Sequence, residues 1–393
     1  MLNLYPPYGP DISDSAAARL AAKELSSMGH TVRTLHSLDA YKYKARTWLM
    51  NPAARLRIAS DNTIITSRLG RWNAVLSYTT GWSHSAERTL NQVVTEYRPD
   101  VIHFHNISLL GYRVLRKLGR QLYVMTAHDY WPICPRGDLM KFGRSTCVEK
   151  ACLSCTVLND FKVQPFRYNP HFSRTIRDLD LIIAPSKFMQ DRLRKELDNR
   201  IVHIPNFADY PPACISPTGK RDFFLYAGSL TELKGLKVLL KTYQQFKEIQ
   251  RELIVVGSGP LAQFITKYVS HYGLEERVHF LGRVSKLQLW RLLSDAAALI
   301  IPSIWPENAP VIALESLAVG TPVIGSDAGG LPEIVSLLDP NLIHVHGSPQ
   351  SLARALLNFK SKYEKDSVKA IFRQNFSAKQ YVRRYINIIE ALV

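Results

Sequence analysis

Two carboxylates eight positions apart, Glu307 and Glu315, stand in the stretch 302–333, PSIWPENAPVIALESLAVGTPVIGSDAGGLPE. Asn308 can cap a helix over about 309–319 with Pro310 in its first turn, and Gly320 suits the left-handed residue just past its end. Glu315 then rides on that helix and Glu307 on the loop ahead of it. The helix start over Asn308, Ala309, Pro310 and Val311 offers backbone N–H groups, Pro310 excepted, to an anion. Lys234 closes the loop GSLTELKG (228–235) between a strand and a helix, where an ammonium can meet a phosphate as a point charge. His128 sits at the C-terminal end of a buried strand over 122–127. Singly, each carboxylate reads equally well as a surface group near a helix start or as a salt-bridge partner.

Four cysteines form a second cluster, Cys134, Cys147, Cys152 and Cys155, spaced C-x12-C-x4-C-x2-C. Close cysteines in a reducing compartment point to a structural zinc site of four thiolates, with an iron–sulfur cluster or unliganded, redox-paired thiols as alternatives. His103 and His105 share one face of a strand, but no third metal ligand is near them in sequence.

The elements that must hold these groups alternate strand and helix throughout. Strands are expected at 30–35, 101–105, 122–127, 179–184 and 201–204, then at 223–227, 253–257, 278–282, 298–301 and 321–324. Helices lie between them, including 85–97, 186–197, 236–250, 260–272 and 286–294, and a last one runs over 377–392. Arg113, Arg116, Lys117 and Arg120 fall on one expected helix. A proline-rich, aperiodic stretch at 205–217 reads as a linker. Strand–loop–helix units in series describe open parallel α/β sheets, which bind ligands beyond the strand C-termini.

A chain of 393 residues with 46% apolar and 21% charged content can bury two cores. No apolar run is long enough to cross a membrane, and the N-terminus lacks the layout of a signal peptide, so a cytosolic protein is expected. Residues 1–205 hold 29 Lys+Arg against 17 Asp+Glu, most of the net charge of +17. An anionic membrane surface, an acidic substrate or plain solubility accounts for that excess; no nucleic-acid motif accompanies it.

Glu307, seven intervening residues, Glu315 and the run AVGTPVIGSDAGGLPE resemble the signature of retaining GT-B glycosyltransferases of family 4. MGHTV (28–32), DVIHFHN (100–106), AHD (127–129), PSKF (185–188), IPNFAD (204–209), VVGSGP (255–260) and FLGRV (280–284) follow the same pattern in order, over about nine tenths of the chain. A Cys-rich insertion like 134–155 occurs in a subset of that family. The resemblance implies two Rossmann-like domains facing each other across a cleft: 1–205 for the acceptor, 206–375 for a nucleoside-diphosphate sugar, and 376–393 as a helix crossing back to the first domain. It assigns Lys234, the helix start at 308–311 and the glycines Gly257 and Gly259 to the donor, Glu315 to its ribose and Glu307 to its sugar. His128 and the Gly9 loop approach the transferred sugar from the acceptor side, and the aromatic, basic segment 36–85 faces the acceptor. Eight residues of helix would span about 12 Å, more than the roughly 5–9.5 Å between carboxyls flanking one glycosidic bond; the loop at Glu307 shortens that span, and the comparison points toward different jobs for the two glutamates.

The implied reaction is sugar transfer to a glycan or lipid-linked glycan with retention, needing no cofactor. The enzyme is expected in the cytoplasm, with the inner face of the plasma membrane as a further expectation. One departure stands out. The arginine usual in the Lys234 loop is Ser229 here, which leaves Arg283 as a substitute cation, weaker donor binding or lost catalysis as readings. A nucleotide-sugar epimerase of the same architecture and a non-catalytic nucleotide-sugar-binding subunit stay open beside the transferase.

Overall fold

The computed structural model describes residues 2–3, 13–45, 62–159, 163–215, 223–360 and 363–392. The chain divides into two compact units, Met1–Ile204 together with Val382–Val393, and Pro205–Tyr381. Gly9, and with it Arg46, Trp48, Arg55 and Arg57 of the aromatic segment, lie outside the described residues.

In the first unit, in chain order, stand β1 (Leu2–Asn3), α1 (Ser13–Ser27), β2 (Thr34–Ser37), α2 (Leu38–Ala45), β3 (Asn62–Ile65), α3 (Arg71–Thr80), α4 (His84–Tyr97), β4 (Val101–Phe104) and β5 (Leu122–Thr126). A small antiparallel hairpin follows, β6 (Met140–Lys141) with β7 (Ser145–Thr146), then α5 (Cys152–Val157), α6 (Pro170–Arg177), β8 (Leu181–Ala184), α7 (Lys187–Arg194) and β9 (Ile201–His203). Seven strands pair in parallel in the order β3-β2-β1-β4-β5-β8-β9. Fully buried Phe104, Tyr123 and Ile182 fill the space between sheet and helices. Near-continuous apolar strands such as β8, LIIA, are what a sheet covered on both faces requires.

The second unit begins with β10 (Phe223–Ala227) and runs through α8 (Leu236–Gln245), β11 (Glu252–Val256), α9 (Ala262–His271), β12 (Val278–Gly282) and α10 (Lys286–Asp295). It continues with β13 (Ala298–Ile301), α11 (Val311–Ala318), β14 (Val323–Ser326), α12 (Leu331–Val335), β15 (Ile343–His344), α13 (Pro349–Leu357) and α14 (Lys365–Asn375). Its parallel sheet has the order β12-β11-β10-β13-β14-β15. Numbered from the unit's own first strand this is 3-2-1-4-5-6, the dinucleotide-fold order, whose switch point lies between β10 and β13. Leu225, Val255, Leu299 and Ile324 are fully buried at its centre. A last helix, α15 (Ala378–Glu390), starts in this unit and passes into the first within its length.

Several sequence expectations change here, and the strand expected at 30–35 lies at Thr34–Ser37. The helix expected to carry Arg113, Arg116, Lys117 and Arg120 is a single 3₁₀ turn, Tyr112–Leu115. Two of those cations are paired, Arg113 with Glu87 at 3.2 Å and Lys117 with Asp180 at 2.6 Å. The helix placed at 309–319 starts later, at Val311. Pro310 is its extended N-terminal flank, so Asn308 stands too far upstream for its side chain to reach the first free N–H groups. No helix of the described residues is long and apolar enough to cross a membrane.

Candidate active site

Lys234 and Glu307 meet at the switch point of the second unit. Lys234 ends a 3₁₀ turn, Glu232–Lys234, in the loop after β10; Glu307 stands in the loop after β13. The two loops are stitched together by the Ile304 N–H, which donates to the Leu233 carbonyl at 2.9 Å. Lys234 Nζ donates to Glu307 Oε1 at 2.7 Å, and the Ser303 hydroxyl donates to the same oxygen at 2.5 Å. The ammonium also lies 4.8 Å above the Trp305 ring. Glu307 is held from behind as well, because its carbonyl accepts the Gly330 N–H at 2.6 Å. The pair is lopsided: the Glu307 side chain is 5% exposed and that of Lys234 29%. A buried carboxylate therefore anchors a lysine whose remaining N–H donors face outward.

Glu315 repeats the arrangement one loop away. Its carboxylate on α11 accepts from Lys286 Nζ at 2.5 Å, and again the carboxylate side chain is buried and the lysine 40% exposed. Lys286 opens α10 directly after a Ser285–Gln288 capping box. Sequence reasoning missed it. The available signal was positional, since Lys286 follows the end of β12 as Lys234 follows the end of β10.

The helix start behaves as its chemistry suggests. α11 has no side-chain cap on its N-terminus, which leaves the first N–H groups, from Val311 onward, for a ligand or water. Asn308 and Ala309 are buried, and the Ala309 carbonyl accepts from Asn206 at 3.0 Å. Ser229 is exposed, and its carbonyl takes the Tyr226 hydroxyl at 2.9 Å. Burial, with the Glu307 charge added, pushes the Tyr226 phenol well up, so it serves as a neutral donor. Gly257 and Gly259 follow β11. A Cβ on Gly257 would stand 1.9 Å from the Gly228 carbonyl, so this position is glycine because two strand-end loops touch. Arg283 is exposed and forms no ion pair among the described residues; the cation that reaches Glu315 is Lys286 instead.

In the first unit, His128 is half-buried just beyond β5, and its Nε2 lies 3.0 Å from His105 Nδ1. The cysteines do not fit the zinc expectation. Among the described residues no three of His, Cys, Asp and Glu are gathered to hold a metal. Two of the thiols bond the backbone: Cys155 accepts the Phe142 N–H at 3.2 Å, and Cys147 donates to the Glu149 carbonyl at 3.5 Å. Cys134 is packed into the core, and burial pushes its thiol up.

Two family models meet almost end to end on this chain, Glycosyltransferase Family 4 over residues 16–210 and Glycosyl transferases group 1 over residues 215–376. The chain belongs to the GT-B glycosyltransferases. This glycosyltransferase is 24% identical to the putative colanic acid biosynthesis glycosyltransferase WcaL of Escherichia coli, over 93% of its own length and 90% of WcaL's. Alignments with other curated relatives take in as little as 28% of their length. Among solved structures, its fold matches sucrose-phosphate synthase from Thermosynechococcus elongatus with a TM-score of 0.69 at 18% identity, over 100% of this chain and 98% of that one. It also matches Anabaena HepE, solved in complex with UDP, with a TM-score of 0.65 at 16% identity, over 99% and 98% of the two chains. These likenesses agree with the two Rossmann-like sheets described above.

Proposed function

We propose that this glycosyltransferase moves a sugar from a nucleoside diphosphate to a glycan or lipid-linked glycan, with retention of anomeric configuration. The observation that carries the reading is the pairing of Lys234 with Glu307 beside the uncapped start of α11. An ammonium with donors to spare and free helix N–H groups suit a diphosphate, and a buried, oriented carboxylate suits sugar hydroxyls. Glu315, held by Lys286, is assigned to the ribose, and Lys286 supplies the second cation that Ser229 does not. His128, in the first unit, is assigned to the acceptor side.

The reaction needs no enzyme nucleophile. The bond from the anomeric carbon to the phosphate oxygen breaks, and the acceptor oxygen bonds to that carbon on the same face. The acceptor proton passes to the departing phosphate, whose charge Lys234 and α11 offset. Relatives named for colanic acid and O-antigen synthesis support a cell-surface polysaccharide as product, and HepE's complex with UDP supports a nucleotide-sugar donor. The test is a panel of nucleotide sugars scored by thermal shift, followed by anomeric assignment of the product by NMR. Inversion at the anomeric carbon would sink the retaining mechanism. Glu315→Gln is expected to weaken donor binding about tenfold, the worth of one charge-assisted hydrogen bond. Unchanged affinity by calorimetry would remove Glu315 from the ribose.

For the membrane expectation, α3 is the face we propose. Trp72 and Leu76 lie along one side of that helix and are 58% and 46% exposed, with Ala74 and Ser77 buried on the other; Leu69, just ahead of the helix, is 56% exposed. Exposed Arg68 stands beside them, and Arg71 lies over the Trp72 ring at 5.4 Å. An apolar stripe flanked by arginines suits the interface of an anionic bilayer. Phosphatidylglycerol vesicles should bind the protein, the binding should weaken steeply between about 0.05 and 0.3 M salt, and Trp72→Glu should abolish most of it. Equal binding to neutral vesicles would leave solubility as the explanation of the charge.

A further inference from the structure

His103, His105 and His128 form a column of rings at the C-terminal edge of the first unit's sheet. His103 and His105, from β4 and the residue after it, are each 2% exposed and stack with ring centroids 4.3 Å apart. Tyr385 of α15 lies nearly parallel to His103, 5.1 Å away on centroids. His103 Nε2 meets the Thr126 hydroxyl at 2.8 Å.

The contact between His105 and His128 is of another kind. With Nδ1 of His105 and Nε2 of His128 at 3.0 Å, and ring centroids 5.3 Å apart and 24° from parallel, the rings meet edge to edge. That is an in-plane hydrogen bond, and it has room for one proton. Burial, with the two neighbouring histidines adding to it, pushes the His105 imidazolium pKa well down, so His105 carries a single proton. Its other ring nitrogen, Nε2, is buried without a partner among the described residues. A proton there would be a buried donor with nothing to give to, whereas a bare lone pair in the same place forfeits less.

We propose that His105 is a positioning residue that donates its Nδ1 proton to Nε2 of His128 and so holds His128 in the tautomer protonated at Nδ1. This rests on the reading of His128 as a substrate contact. With Nε2 occupied as an acceptor and Nδ1 protonated, neither ring nitrogen of His128 has a lone pair left to act as a base. It orients a substrate oxygen and leaves the acceptor proton to the departing phosphate. The hydrogen bond made by one ring nitrogen sets the state of the other.

The test is nitrogen NMR on the full chain labelled with ¹⁵N-histidine, with His128→Gln identifying the His128 signals. His128 should show a protonated Nδ1 and an unprotonated Nε2. His105→Phe, which keeps bulk but no donor, should mix the two tautomers and lower kcat about tenfold with little change in KM. His105→Asn, whose amide occupies the δ position, should restore both the tautomer and most of kcat; His105→Gln, reaching to the ε position, should not. A proton on Nε2 of His128 in the unmodified protein overturns the proposal, as does an unchanged tautomer in His105→Phe. If His105→Phe does not fold, the spectrum of the unmodified protein still decides. The expected tautomer together with full turnover in His128→Gln would uphold the assignment and remove His128 from the substrate.

Discussion

Lys234→Ala is expected to lower turnover by on the order of thirty- to a thousandfold, about 2–4 kcal/mol, while weakening binding of the intact nucleotide sugar far less. The departing diphosphate gains charge along the reaction, so a fixed ammonium is worth more at the transition state than in the ground state. The same substitution strips a buried carboxylate of its partner, leaving Glu307, among the described residues, with the Ser303 hydroxyl. Removing one side of a buried pair destabilises by itself, so the melting temperature should fall too. Adding Glu307→Gln to Lys234→Ala removes the stranded charge and should recover stability but not turnover. Placing arginine at Ser229 should partly rescue turnover if that position addresses the same phosphates. Turnover of Lys234→Ala equal to the unmodified enzyme, with donor and acceptor verified, would remove the lysine from the diphosphate. Donor binding without consumption by the unmodified protein would favour the non-catalytic subunit.

Gly235→Ala should be among the most damaging small changes at the described residues. Gly235 has φ +72°, and a Cβ there would stand 1.8 Å from the Pro302 carbonyl, so relief requires one of two backbones to move. Those backbones carry Lys234 and, five residues past Pro302, Glu307. Left-handed strain of about 1–2 kcal/mol combined with a backbone clash sums to roughly 3–5 kcal/mol, or a melting temperature lower by on the order of 10 °C. Gly273→Ala is the control, since Gly273 has φ +60° but a Cβ added there would meet nothing within 4 Å, and it should show the strain alone. Similar melting temperatures for the two variants would mean that the loops after β10 and β13 slide freely past each other.

How far the sequence was legible depended on the range of the interactions involved. β10 and β13 occupy the residues expected of them, because four or five apolar residues bounded by charged or proline positions can be read locally. The strand expected at 321–324 lies two residues later, at Val323–Ser326. Thr321 is instead spent on ending α11, its N–H bonding the Ser316 carbonyl and its hydroxyl the Leu293 carbonyl. The resemblance drew attention to Lys234, Glu307 and Glu315, but nothing local says that each carboxylate has its own lysine. Lys286 and Glu315 are 29 residues apart and meet only through the packing of α10 and α11. Cysteine spacing is likewise silent about where thiols point. Cys134 is claimed by the core and Cys147 and Cys155 by nearby backbone, outcomes of packing that the pattern does not contain.

The passage of α15 from one unit into the other has a consequence for how the protein is made. Tyr385 covers His103, and both belong to the first unit, yet all of Pro205–Tyr381 is translated between the first unit's sheet and that tyrosine. Domains of most multidomain chains can finish folding one after another as they leave the ribosome. Here the earlier-made unit waits for the later one, its histidine column uncovered, and neither is complete until α15 has been synthesised.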